Sequence, residues 1–363
     1  MSVNIGITGL AKSGKTTIFN ALTKGRADTT SHAANIGVAR VPEPRLEKLA
    51  GIFHPHKITP AEVKYIDIGA AAPGLSREKG IGGQLLGQLA NTDALLNVVR
   101  AFQDERVPHP EGSLGIERDI SAMNLELAFS DMGIIERRLE RITESLKGAK
   151  PPERQSFLKE QELLLRIKAE LEKERPVREM GLSPEEAKAL SNYQLLTAKP
   201  LLMVVNIRED QLPEASALEV KLRERYARPQ CAVLTLCGKV EQELAELDEE
   251  AAASFRADFG LKESGLDRVI RESYRLLGLI SFFTVVSSEL RVWAVPQGAV
   301  AVKAAGKIHS DMERGFIRAE VVSYEDLLKC GSLAEARSRG LLRLEGKTYV
   351  VKDGDIITFL FNV

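Results

Sequence analysis

Apolar runs of strand length alternate with stretches of helical spacing along most of the chain. Val3 to Ile7 is an apolar run that feeds a glycine-rich turn and then the apolar-periodic segment Ile18-Phe19-Asn20-Ala21-Leu22. Ile36 to Ala39 is a short apolar stretch, Arg45 to Phe53 has the pattern of a short helix, and Val63 to Ile68 reads as a buried strand carrying Asp67 near its end. Leu85 to Leu96 resumes helical periodicity, and Ala94 to Val99, Leu201 to Val205 and Ala232 to Leu236 read as buried strands, with Leu266 to Leu277 as a later helix. Strand and helix in alternation predict an α/β fold with a doubly wound, mainly parallel sheet.

Two stretches depart from that alternation. Ile120, Met123, Leu127, Ile135, Leu139, Ile142 and Leu146 follow the three-four spacing of one helix face, Gly148 to Pro152 breaks it, and Phe157, Leu164 and Leu171 carry a second helix. The pair predicts an inserted antiparallel α-helical hairpin over residues 119–198, with a short helix from Pro184 to Leu195 leading back. Its charge-rich faces suit a solvated arm or a partner-binding arm equally. After Gly278 the pattern becomes β-rich: short strands at Leu290 to Val295, Val300 to Val302, Arg318 to Val322, Thr348 to Val351 and Asp355 to Asn362, with one helix near Tyr324 to Leu328. Residues 1–118 and 199–280 are thus expected to form one domain around the hairpin, and 281–363 a small C-terminal one.

The turn after the first strand carries the chemistry. It reads Gly9-Leu10-Ala11-Lys12-Ser13-Gly14-Lys15-Thr16-Thr17, a P-loop in its strand-to-helix context. Gly9 and Gly14 let the backbone wrap an anion, so that N–H groups along Lys12, Ser13 and Thr17 and the helix's positive end converge on phosphates. Lys15 adds a cation for the outer phosphates, and the Thr16 hydroxyl is placed to ligate Mg2+. Asp67, ending a buried strand, is the expected second Mg2+ contact through water. Gly25 to Asn35 reads as a loop from which Ser31 would meet the metal, and Gly74 to Gly83 as a switch.

Composition narrows the partners. The 363 residues carry a formal net charge of -1, so no global field draws the chain to nucleic acid. No apolar run reaches the roughly 20 residues of a membrane span, and a strand stands where a signal peptide would, so a cytoplasmic protein without membrane contact is expected. Cys231, Cys237 and Cys330 show no metal spacing and are expected as reduced thiols. Nothing demands more than a monomer.

With the P-loop, Asn206-Ile207-Arg208-Glu209, the inserted hairpin and the stretch from Gly306-Lys307-Ile308-His309-Ser310-Asp311-Met312-Glu313-Arg314-Gly315-Phe316 to Glu320 in view, the chain resembles the YchF family, the Obg-like ATPases, over essentially its whole length. The C-terminal part resembles that family's TGS domain. The resemblance implies a regulatory ATPase with slow hydrolysis to ADP and phosphate, acting on the ribosome or RNA through the TGS domain and the helical arm. Guanine-specific relatives of the fold end the corresponding strand with Asn-Lys-x-Asp; here Ile207 and Glu209 replace Lys and Asp, which implies ATP ahead of GTP. Asn206 would pair with the purine, Ile207 would face its ring, and Cys237-Gly238 would line the base pocket. The resemblance aligns His109 with a family histidine that could hydrogen-bond the attacking water; its place between Pro108 and Pro110 suits a solvent-exposed loop histidine equally.

The departures from the family's pattern set the rival readings. Ala70 stands where the family has the glycine of Asp-x-x-Gly, Ala71 stands where many GTPases have Gln, and Ser31 lies in a loop lacking the family's proline. A nucleotide-binding adaptor without productive hydrolysis and a GTP-preferring GTPase remain alternatives. In the small domain, Lys303, Lys307, Arg314 and Arg318 near Phe316 suit either RNA contact or a solvated face.

Overall fold

The computed structural model describes residues 3–25, 35–67 and 83–362. Ser31, Ala70, Ala71 and the expected switch up to residue 82 lie outside the described residues. The strands are, in chain order, β1 (Val3–Thr8), β2 (Asn35–Arg40), β3 (Lys57–Thr59), β4 (Glu62–Asp67), β5 (Ala94–Arg100), β6 (Leu201–Asn206), β7 (Cys231–Leu236), β8 (Leu279–Val286), β9 (Glu289–Pro296), β10 (Phe316–Val322), β11 (Arg343–Glu345) and β12 (Ile356–Phe361). Two compact units emerge: Asn4–Gly37 with Lys64–Val269, and Met1–Val3 with Val38–Val63 and Ile270–Val363.

One sheet has the order β2-β4-β1-β5-β6-β7. β1 runs parallel to β5, β5 to β6 and β6 to β7. Every residue of β5, β6 and β7 is buried, as a parallel sheet covered on both faces requires. Leu95, Val99, Leu201, Met203, Val205 and Val233 point into one layer of core with Ile120, Met123, Leu127 and Leu222. β1 lies between β4 and β5, so the strand order reverses there, and its carboxyl end faces the crevice where ligands of such sheets bind.

The hairpin forms as Ile116–Leu146 and Pro151–Leu171. Prolines at the first positions of the second helix fix its start. Ile135, Ile142, Leu164 and Ile167 are fully buried between the helices. Near the arm's root, Asp131 accepts from the Leu196 and Thr197 N–H groups at 2.8 Å each and from the Thr197 hydroxyl at 2.6 Å. Among the described residues no helix is long and apolar enough to cross a membrane.

The C-terminal unit holds a sheet of order β11-β10-β12-β8-β9-β3. β3, β8 and β11 add to the expected strands, and β3 pairs in parallel with β9. Val300 to Val302, expected as a strand, instead open the helix Ala301–Ile308. Ala301, Ala304 and Ala305 recur at helical spacing and are fully buried on a core with Phe282, Phe316 and Ile357, so packing decides for helix over the short apolar alternation. Thr348 to Val351 supplies only an isolated bridge, Val300 to Val350. The expected helix, Tyr324–Cys330, is accompanied by Ser310–Arg314 and Leu333–Ser338. Cys231, Cys237 and Cys330 are free thiols.

Candidate functional site

β1 delivers the chain into the turn at Gly9, whose φ is 141°. A Cβ there would stand 2.4 Å from Val98 O, so only glycine lets the loop pass this close to β5. Gly14 has φ 96°, and a Cβ on it would meet Asn206 Nδ2 at 2.2 Å. The Lys15–Thr23 helix then begins with no side-chain cap, leaving its first N–H groups for an anion.

Lys15 is buried and donates from Nζ to Gly9 O at 3.0 Å and Leu10 O at 2.9 Å. Burial lowers its ammonium to about 8 against the opposing pull of Asp67. The Thr16 hydroxyl donates to Asp67 Oδ2 at 2.9 Å. Burial pushes the Asp67 carboxyl up, while the Thr16 hydrogen bond and Lys15 oppose it. Asp67 Oδ1 and Ser13 Oγ are buried without a hydrogen-bond partner. An unpaired carboxylate oxygen beside a hydroxyl is a hard-oxygen donor set that fits Mg2+. Among the described residues no group of three or more His, Cys, Asp or Glu gathers for a metal.

Asn206, 5% exposed at the end of β6, braces the loop. Its Nδ2 donates to Ser13 O at 3.1 Å, and its Oδ1 accepts from Gly238 N–H at 2.9 Å. The structure thus joins the P-loop, Asn206 and the Cys237–Gly238 turn. One Nδ2 proton and the second lone pair of Oδ1 are left for a base. Ile207 does not face a ring: it is 2% exposed and packs in the core, its N–H donating to Leu236 O at 3.0 Å. Glu209 is exposed at the start of a 3-10 turn. Cys237 is buried, and burial pushes its thiol up against the Val240 and Lys239 N–H groups.

His109 is neither solvent-exposed nor open to a water. Its side chain is 5% exposed; Nε2 pairs with Asp119 Oδ2 at 2.8 Å and Nδ1 accepts from Glu111 N–H at 3.1 Å. Asp119 is itself held by the Arg118 guanidinium at 2.8 Å. This partner carried no sequence signal, because a carboxylate in the first turn of a helix reads as a favourable helix start. Phe316, expected beside the C-terminal cations, is 5% exposed in the core, so it offers no ring to a base. Lys303 pairs with Glu313 at 2.5 Å, and Arg314 with Asp311. A groove of about 870 Å3 on the arm holds the ion pairs Arg138–Glu160 and Arg166–Glu186 in its lining and none of the P-loop residues.

A parallel buried strand, a glycine turn at its carboxyl end, a lysine folded onto that turn and a hydroxyl–carboxylate pair beside it define a P-loop NTPase fold. The YchF-GTPase_C family, described as "Protein of unknown function (DUF933)", matches residues 279–362. A Bacillus subtilis (strain 168) protein named Ribosome-binding ATPase YchF is 41% identical over 370 residues, covering 100% of both chains. One of the same name from Escherichia coli O157:H7 is 38% identical over 368 residues, again covering 100% of both. The solved structure of the Schizosaccharomyces pombe YchF GTPase superposes with a TM-score of 0.87 at 29% identity, covering 99% of this chain and 98% of that one. The chain belongs to the YchF family.

Proposed function

We propose that the chain is an ATP-binding regulatory P-loop NTPase that slowly hydrolyses ATP to ADP and phosphate and acts on the ribosome. The junction of Lys15, Thr16 and Asp67 on a loop braced by Asn206 carries this reading. The curated relatives are named ribosome-binding ATPases, which supports ATP as substrate, the ribosome as partner and the cytoplasm as the place of action. Mg2+ would be held by the Thr16 hydroxyl and, through water, by Asp67, with Ser31 as a further candidate. Once bound, it would neutralise charge on the outer phosphates. Lys12, Ser13, Gly14, Lys15 and Thr17 serve those phosphates, while Asn206, Glu209, Cys237 and Gly238 serve the base. His109 meets the attacking water only after Nε2 leaves Asp119. Residues 119–198 and 281–363, the arm and the TGS domain, are offered to ribosome or RNA by a monomer.

A GTP-preferring enzyme is the second reading, favoured by the naming of the fission-yeast relative as a GTPase. The test is calorimetric titration of nucleotide-free protein with ATP, ADP, GTP and GDP in Mg2+, followed by phosphate release. ATP binding at least tenfold tighter than GTP, about 1.4 kcal/mol, together with turnover, upholds the proposal. Tighter GTP binding overturns the base assignment, and ATP binding without turnover replaces the enzyme by an adaptor.

A further inference from the structure

The phosphate loop carries a second lysine with a different environment. Lys12 has φ 61° and sits in the turn closed by Ser13 N–H donating to Leu10 O at 3.4 Å. A side chain in the left-handed region is disfavoured where glycine is not. Lys24 and His54 share such backbones but close helices, their N–H groups donating to Asn20 O and Ala50 O; Lys12 closes none. Its side chain is exposed and has no ion-pair partner among the described residues. Lys15, by contrast, is buried and bound to two loop carbonyls. Backbone strain retained at a ligand loop, by a residue whose cation pairs with none of the described residues, points to a task for that cation.

Phosphoryl transfer supplies such a task. The transferring group spreads charge over its outer oxygens, and many P-loop enzymes draw the compensating cation from an arginine supplied by a partner. With Ala71 aligned where GTPases carry the water-orienting Gln, charge stabilisation must bear more of the rate. We propose that Lys12 is a cation supplied in cis to the outer phosphates of bound nucleoside triphosphate, acting more strongly on the transition state than on the ground state. This inference rests on the nucleotide-hydrolysis reading above.

The test compares wild type with Lys12→Gln, Lys12→Gly and Lys12→Arg, measuring Mg2+-dependent affinity for ADP alone and for ADP with aluminium fluoride, which mimics the transferring phosphoryl group, alongside kcat. Removing the charge should cost about tenfold in affinity for the fluoride complex and in kcat, with ADP affinity held within about twofold and Arg close to wild type. The Gly variant relieves the backbone, so its loss matching that of Gln separates charge from strain. Gln equal to wild type, or losing ADP and the fluoride complex alike, overturns the inference. Wild type that binds neither ligand overturns the proposed function and this inference with it, whereas wild type that binds both while Gln matches it sinks the inference alone.

Discussion

The Thr16 hydroxyl donates to Asp67 Oδ2 at 2.9 Å while Asp67 Oδ1 is buried without a partner. The pair spans 51 residues of sequence and places one neutral and one acidic oxygen side by side. Its carboxyl is held above the usual range by burial, with Thr16 and Lys15 opposing. A carboxyl raised in the folded state favours folding most at low pH, and the advantage is lost as pH rises through its folded value. Once ionised, the group is therefore a cost that a metal would offset.

Asp67→Asn follows directly. The amide oxygen still accepts from Thr16, but the charge is gone, so Mg2+-dependent triphosphate affinity should fall at least about tenfold. Thermal stability without nucleotide should hold or rise, because a buried charge has been removed. Calorimetry with and without Mg2+ and melting curves read the two effects. A variant that loses stability and keeps its Mg2+ dependence would contradict the assigned role.

Lys15 gives a pH prediction. In the free protein its ammonium is lowered to about 8 by burial. A bound phosphate favours the charged form and so raises that value. Below about 8 the cation is already present and affinity is flat. Above it, binding must take up a proton, and triphosphate affinity should fall by up to about tenfold per pH unit. Titrations in buffers of different ionisation enthalpy should report that proton, and Lys15→Ala should abolish both the slope and most of the affinity.

Asn206 predicts a link between stability and binding. Truncation to Ala leaves Gly238 N–H and Ser13 O buried without their partner, which costs about 1–3 kcal/mol for each such group. Asn206→Ala should lower the urea midpoint and weaken ADP as well as ATP, since it releases the loop itself rather than a group specific to the outer phosphate. Unchanged ADP affinity would confine Asn206 to a structural role.

Local pattern made the first strand, the glycine turn and the helix legible, because each rests on neighbours in sequence. The helix Arg45–Phe53 and the hairpin were legible for the same reason: their apolar spacing is read within one element. What could not be read is set at long range. β3 is three residues long and mostly exposed; it is a strand because β9, more than two hundred residues later, offers its edge. Ile207 lies next to Asn206, yet the core claims one and the loop the other, a division made by where β6 ends. β8, Leu-Ile-Ser-Phe-Phe-Thr-Val-Val, did carry a strand signal in its aromatic and β-branched residues.

His109 and Asp119 give the last prediction. With Nε2 on Asp119 and Nδ1 on Glu111 N–H, the imidazole anchors the loop to the start of the helix Ile116–Leu146. His109→Ala leaves Asp119 with Arg118 alone, and the loss of a buried hydrogen bond to a charged group costs about 1.5–3 kcal/mol. Where the folded variant still binds ATP, kcat should fall by at least about tenfold if the ring is released to orient water during turnover. Asp119→Asn separates the two roles: it weakens the hold on Nε2 while leaving the ring in place. Basal phosphate release should then rise if that hold restrains His109, and fall with stability if anchoring is the whole of its work. Melting curves and single-turnover phosphate release on both variants distinguish these outcomes.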